Sequence, residues 1–158
     1  IFYETERENP NAKVSNKYLR KRITEKREKE NAFEALLVNK NGQITEGSRS
    51  NVFFVKDDKI YTPPAEKILL GVTRNKILDL CKMNSIEIVE KDIFVDKIAE
   101  YDGAFITGTS VNVLPIKTIN NIKLKSTQNN IILKLMEIYE EDKKSYINKR
   151  KNKKGDDV

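Results

Sequence analysis

Four short stretches carry groups with chemistry to offer. Glu46 stands in Thr45-Glu46-Gly47-Ser48-Arg49-Ser50-Asn51, a turn-rich stretch that runs into the apolar Val52-Phe53-Phe54-Val55. Lys13 stands in Asn11-Ala12-Lys13-Val14, after Pro10 and ahead of a helical pattern. Gly71-Val72-Thr73 and Gly108-Thr109-Ser110 share one design: an apolar run ends at a Gly that allows close backbone approach, and a hydroxyl follows with free N–H groups. The first of these corners opens a helix, whose N-terminal N–H groups and dipole attract an anion. Taken singly, each stretch has an ordinary reading: a solvated Lys, a surface Glu, a Gly-X-Thr that caps an element. Their company is what gives them weight.

The rest of the composition narrows the chemistry. The 158 residues contain no His, which excludes a Ser-His-Asp triad, a Cys-His dyad and every His-containing metal site within the chain. The single cysteine, Cys81, forbids an internal disulfide and a CxxC centre, and its helical, apolar setting reads as a small buried hydrophobe. One unpaired thiol suits a reducing compartment, so a cytoplasmic location is expected. Proton chemistry must then rest on Lys, Glu, Asp, Tyr or a cofactor. A Lys for a Schiff base, a carboxylate for a ring nitrogen and two anion-friendly corners together describe a pyridoxal phosphate pocket.

The elements that must position these groups are legible in outline. Residues 1–8 read as extended, and Asn9-Pro10 breaks them. A polar helix is expected from about Ser15, its candidate N-cap, to Glu30, held by Tyr18, Leu19 and Ile23. Phe33–Val38 alternates as a strand, and Asn39-Lys40-Asn41-Gly42 turns it into the strand that brings Glu46 to its corner. Val52–Lys56 turns through Asp57-Asp58 into Lys59–Thr62, which Pro63-Pro64 ends. A helix over roughly 74–84 follows, with Thr73 as its candidate cap. Ile86–Glu90 and Gly103–Thr107 read as strands around a short helical segment near Val95–Tyr101, and Val111–Ile116 resumes after the second corner. A last helix from about Thr127 shows a core-type stripe of Ile131, Ile132, Leu135, Met136, Ile138 and Tyr139. No repeat or linker divides the chain, so residues 1–158 are expected to form a single mixed domain of α/β or α+β architecture. No apolar run is long enough for a membrane span.

At this point the motifs become specific. Thr45-Glu46-Gly47-Ser48-Arg49-Ser50-Asn51-Val52-Phe53, Leu70-Gly71-Val72-Thr73-Arg74 and Phe105-Ile106-Thr107-Gly108-Thr109-Ser110, in this order after Lys13, resemble the class IV pyridoxal-phosphate aminotransferases. That family includes branched-chain and D-amino-acid aminotransferases and aminodeoxychorismate lyase. The resemblance covers about Asn9 to Ile116. It implies the large, β-rich pseudo-barrel domain of that fold flanked by helices, a smaller N-terminal domain absent from this chain, and a homodimer. It also implies pyridoxal 5'-phosphate as cofactor, and an amino acid and a 2-keto acid as small-molecule partners. Lys13 matches the residue that holds the cofactor and then serves as the mobile base. Tyr18 matches a position that hydrogen-bonds the cofactor's phenolic oxygen. Glu46 matches the carboxylate on the ring nitrogen, and Leu69 an apolar residue on the ring. Val72, Thr73 and Thr109 match the phosphate cradle, and Ser110 and Val111 a loop that meets the substrate carboxylate. Arg49 departs from the family pattern, where several members carry a small residue facing the ring.

Two other readings compete. The same Lys and Glu would serve a carbon–oxygen lyase releasing 4-aminobenzoate. The net charge of +6, with Lys143, Lys144, Lys149, Arg150, Lys151, Lys153 and Lys154 crowding the end, would serve a non-catalytic basic module. No aromatic interleaving accompanies that tail, and cations also suit a helix C-terminus, so nucleic acid is not the expected partner.

Overall fold

The computed structural model describes residues 1–5 and 16–155, with side chains through residue 150. In chain order the elements are β1 (Phe2–Glu4), α1 (Lys17–Lys29), β2 (Leu36–Val38), β3 (Gln43–Gly47), β4 (Asn51–Lys56), β5 (Lys59–Thr62), α2 (Val72–Met83), β6 (Ile88–Glu90) and β7 (Ile93–Phe94). They continue with β8 (Gly103–Gly108), β9 (Asn112–Pro115), β10 (Thr118–Ile119), β11 (Ile122–Lys123) and α3 (Asn130–Gly155). Short 3-10 turns precede α2 (Ala65–Lys67), β8 (Val95–Glu100) and α3 (Ser126–Gln128).

Two sheets face each other, one of order β6-β5-β4-β8-β9 and one of order β1-β2-β3-β7. Strand alternation explains the layering. On β4, Val52 and Phe54 point into the core between the sheets, where they meet Leu36, Val38, Ile44 and Ile93. Phe53 and Val55 point the other way, onto Ile77, Leu80 and Cys81 of α2 and Ile132 and Leu135 of α3. With both faces covered, the strand reads as an unbroken apolar run rather than an alternating one. Phe105 on the neighbouring β8 follows Phe53 to the helical side, and their rings stack with centroids 4.8 Å apart. The polar α1 lies over the outer face of the smaller sheet; Ile23 is its buried residue, against Tyr3, Ala35 and Leu37.

The hairpin turns behave as their residues demand. Gly42 takes φ +73° between β2 and β3. Asp57 and Asp58 both take positive φ, the conformation of a two-residue turn whose twist matches its strands. Several expected boundaries move. The α1 cap is Asn16, whose side chain accepts from the Leu19 N–H at 2.9 Å; Ser15 lies outside the described residues. The strand expected from Phe33 begins at Leu36, the one expected from Ile86 begins at Ile88, and the last helix begins at Asn130 after a 3-10 turn. The pairs β7 and β10–β11 are too short for any periodicity to announce them.

Candidate active site

β3 and β4 belong to different sheets, and residues 47–50 are the corner at which the chain crosses between them. Glu46 lies at the end of β3, two residues past Ile44, and therefore shares its inward face. It is 3% exposed. A carboxylate this buried requires partners, and its Oε2 accepts from the Leu69 N–H at 3.2 Å. At the far side of the corner, buried Asn51 donates its amide to the Leu69 carbonyl at 2.8 Å. Leu69 is thus gripped on both backbone groups by the two ends of one corner.

That grip fixes the start of α2 as well. The helix begins at Val72 with Gly71 as N-cap, not at Arg74 with Thr73 as cap, and Gly71 offers no side-chain hydrogen bond to the first turn. A Cβ on Gly71 would overlap Asn51 Oδ1, so any other residue there would have to displace the clamp. The first-turn N–H groups have no intrahelical acceptor. An uncapped helix start beside a buried carboxylate is what a ligand carrying both a basic nitrogen and a phosphate would require. The donor set therefore fits pyridoxal phosphate. Thr73 is buried, while Val72 is 81% exposed. Arg74 is buried beneath them with Nη2 3.0 Å from Glu90, whose carboxylate also accepts from the Ala65 N–H. This ties the helix start to the sheet edge.

The second corner opens at the same end of the larger sheet. β4 and β8 are antiparallel, with Asn51 opposite Thr107, so the start of one lies beside the end of the other. A Cβ on Gly108 would sit 3.4 Å from the Arg49 carbonyl and 3.5 Å from Val111, which brings residues 108–111 against the first corner. Thr109 and Ser110 are exposed and Val111 is half-buried against the inter-sheet core. Arg49 is exposed at the tip of its turn. The structure thus brings together Glu46, Arg49, Leu69, Val72 and Thr73, and joins Thr109, Ser110 and Val111 to them through Asn51 and Gly108. Tyr18 stands apart on α1, 72% exposed, with the Arg22 guanidinium 5.8 Å from its ring centroid. Lys13 lies outside the described residues. The groove of about 510 Å³ lined by Phe2, Thr5, Val38, Asn39, Gly42 and Val95 opens at the opposite end of β3 and holds none of the expected site residues. Sequence reasoning missed Asn51; its only signal was its place at the end of the Glu46 stretch.

Residues 2–119 match the amino-transferase class IV family, and the chain belongs to it. It is 39% identical over 99 residues to the D-alanine aminotransferase of Bacillus licheniformis, covering 62% of this chain and 35% of that protein. With the branched-chain-amino-acid aminotransferase of Pseudomonas aeruginosa it shares 41% identity over 93 residues, covering 59% and 30% respectively. The crystal structure of the branched-chain aminotransferase from Thermobaculum terrenum, in its pyridoxal phosphate form, superposes with a TM-score of 0.77 at 28% identity, covering 84% of this chain and 45% of that one. The mixed α/β fold is that of these enzymes. The chain spans about a third of the length of the curated relatives it matches.

Proposed function

We propose that this chain is the cofactor-binding large domain of a pyridoxal-phosphate-dependent transaminase. The enzyme would move an amino group between an amino acid, branched-chain or D-, and a 2-keto acid, in the reducing cytoplasm and as a homodimer completed by a smaller N-terminal domain. The observation that carries the reading is the double grip on Leu69, which makes the buried acid Glu46 and the uncapped start of α2 one rigid unit. When bound, the cofactor supplies the electron sink that lets an amino acid lose its α-proton.

The chain's residues supply the rest. Glu46 favours the protonated ring nitrogen by placing a carboxylate against it. Leu69 would supply an apolar surface for the ring, and Arg49 stands where several family members carry a small residue. The N–H groups of Val72 and Thr73, with the hydroxyls of Thr73 and Thr109, cradle the phosphate. Ser110 and Val111 face the substrate carboxylate. Lys13 would hold the cofactor and supply an amine, its Nζ, able to carry the substrate's α-proton. Tyr18, which stands apart on α1 and is 72% exposed, takes no part in this assignment.

The test is a visible absorbance band when pyridoxal phosphate is added to the intact protein, lost in Lys13→Ala, together with keto-acid formation from branched-chain or D-amino acids. Release of 4-aminobenzoate instead would replace transamination by the lyase reaction at the same site. Glu46→Gln is expected to lower the pH at which the ring nitrogen loses its proton by about 1–3 units, because the stabilising opposite charge is gone. A pH titration of the absorbance that superposes on the wild type would remove Glu46 from its role.

A further inference from the structure

A second polar cluster lies directly behind the first, centred on Glu34. Its Oε1 accepts from the Ser48 hydroxyl at 2.5 Å and from the Ala35 N–H at 2.8 Å, and its Oε2 accepts from the Ser50 hydroxyl at 2.9 Å. A carboxylate suits this place because it accepts only, and its two oxygens take three donors at once. The Ser48 N–H also donates to the Ala35 carbonyl at 2.8 Å, and the Gly47 N–H to the Ser50 carbonyl at 2.7 Å. Residues 34 and 35 therefore hold the corner by side chain and backbone together. The Ser50 hydroxyl reaches Glu34 through the space that a Cβ on Gly47 would fill, and Glu34 Oε2 lies 3.2 Å from that same point. The corner closes only around a glycine.

These bonds set the spacing between Glu46 and Asn51, the two residues that grip Leu69. We infer that Glu34 is a positioning residue for Glu46. It touches no reacting atom; it locks residues 47–50 so that the Glu46 carboxylate stays aimed at the place of the cofactor's ring nitrogen and α2 stays docked at its phosphate end. The inference rests on the transaminase reading. Glu34 was invisible in the sequence because its hydroxyl partners lie 14 and 16 residues away, across a hairpin.

Glu34→Ala, Glu34→Gln and Ser50→Ala in the intact protein test it, read by kcat and KM, by the cofactor's dissociation constant from absorbance titration, and by hydrogen exchange of the cofactor-free protein. Glu34→Ala is expected to lower kcat and cofactor affinity by about tenfold or more, as loss of a supporting partner typically does, with KM little changed and with faster exchange at the Gly47 and Ser48 amides. Glu34→Gln keeps an oxygen for Ser48 and can donate to the Ser50 hydroxyl, so it should stay within about threefold of wild type. Ser50→Ala, which leaves the carboxylate in place, should move every quantity the same way by less, and it serves if Glu34→Ala does not fold. A Glu34→Gln as impaired as Glu34→Ala would mean that charge, not position, matters, and would overturn the inference. So would wild-type kcat and exchange in Ser50→Ala or Glu34→Ala. A wild type that gives no absorbance band overturns the transaminase reading itself, whereas the exchange result, taken without cofactor, reports the hold of Glu34 alone.

Discussion

Replacing Gly71 by Ala puts a methyl group where Asn51 Oδ1 already lies. The backbone is no obstacle, because φ −69° and ψ 140° at Gly71 suit alanine. Indeed, the stiffer unfolded chain would by itself favour Ala by about 0.4–1 kcal/mol. The collision acts against this. Asn51 is 6% exposed, paired with Thr107 across the sheet, and cannot swing into solvent without giving up its 2.8 Å bond to the Leu69 carbonyl. Leaving that part-buried carbonyl and the buried Asn51 amide unmatched costs about 1–3 kcal/mol, and the crowding itself adds about 1–3 kcal/mol. The net loss is about 1–5.5 kcal/mol, or roughly 2–22 °C in Tm at about 2–4 °C per kcal/mol for a domain of this size. A double-mutant cycle in thermal or urea unfolding separates this mechanism from a general loss of helix start. In an Asn51→Ala background the oxygen is gone, so Gly71→Ala should cost little, with a coupling of at least about 1 kcal/mol between the two sites. Equal costs in both backgrounds, or a stabilised Gly71→Ala protein, would refute the claim that Asn51 and Gly71 share one volume.

Two further predictions follow from single groups. Burial pushes the Cys81 thiol from 9.0 up to about 11. The folded chain therefore keeps a proton that the unfolded chain loses, and stability should fall as pH rises from 9 towards 11. Cys81→Ala should flatten that slope, and a thiol reagent at pH 8 should leave the native protein unmodified until it unfolds. Asp58 sits at φ +57° at the second central position of a hairpin turn, where glycine carries no Cβ penalty. Asp58→Gly should raise stability by about 0.5–1 kcal/mol, given that left-handed backbone costs an L-residue about 1–2 kcal/mol and Gly surrenders part of this to unfolded-state entropy. A lowered denaturation midpoint would contradict it.

What could be read from the sequence divides along a physical line. Val52-Phe53-Phe54-Val55 declared a buried strand because covering both faces leaves no polar alternation to hide it. Gly42 and the Asp57-Asp58 pair declared turns because few residues tolerate positive φ. These are local constraints, written where they act. The caps show the opposite case. Thr73 carries a hydroxyl after a glycine and looks like the cap of α2, yet Gly71 holds that position because Asn51, 20 residues upstream, fills the space beside it. The preference for a side-chain cap yields to a tertiary contact that leaves the helix start open.

The same contact explains why the site lies where it does. A sheet-switching corner must break strand pairing, and that strands polar backbone groups in the interior unless other groups answer them. Here the Gly47 and Ser48 N–H groups find the Ser50 and Ala35 carbonyls, Glu34 takes the Ser48 and Ser50 hydroxyls, and Glu46 and Asn51 take the backbone groups of the neighbouring Leu69. The residues that make the crossing possible thus also hold a buried carboxylate and an uncapped helix start in fixed register. A slack corner would cost the fold its crossing and the site its geometry at once. Substitutions at Glu34, Gly47 and Asn51 should accordingly couple stability to cofactor affinity, whereas Phe105→Ala, buried on the helical side of the same sheet, should cost about 3–5 kcal/mol while the cofactor affinity of the folded protein stays near wild type.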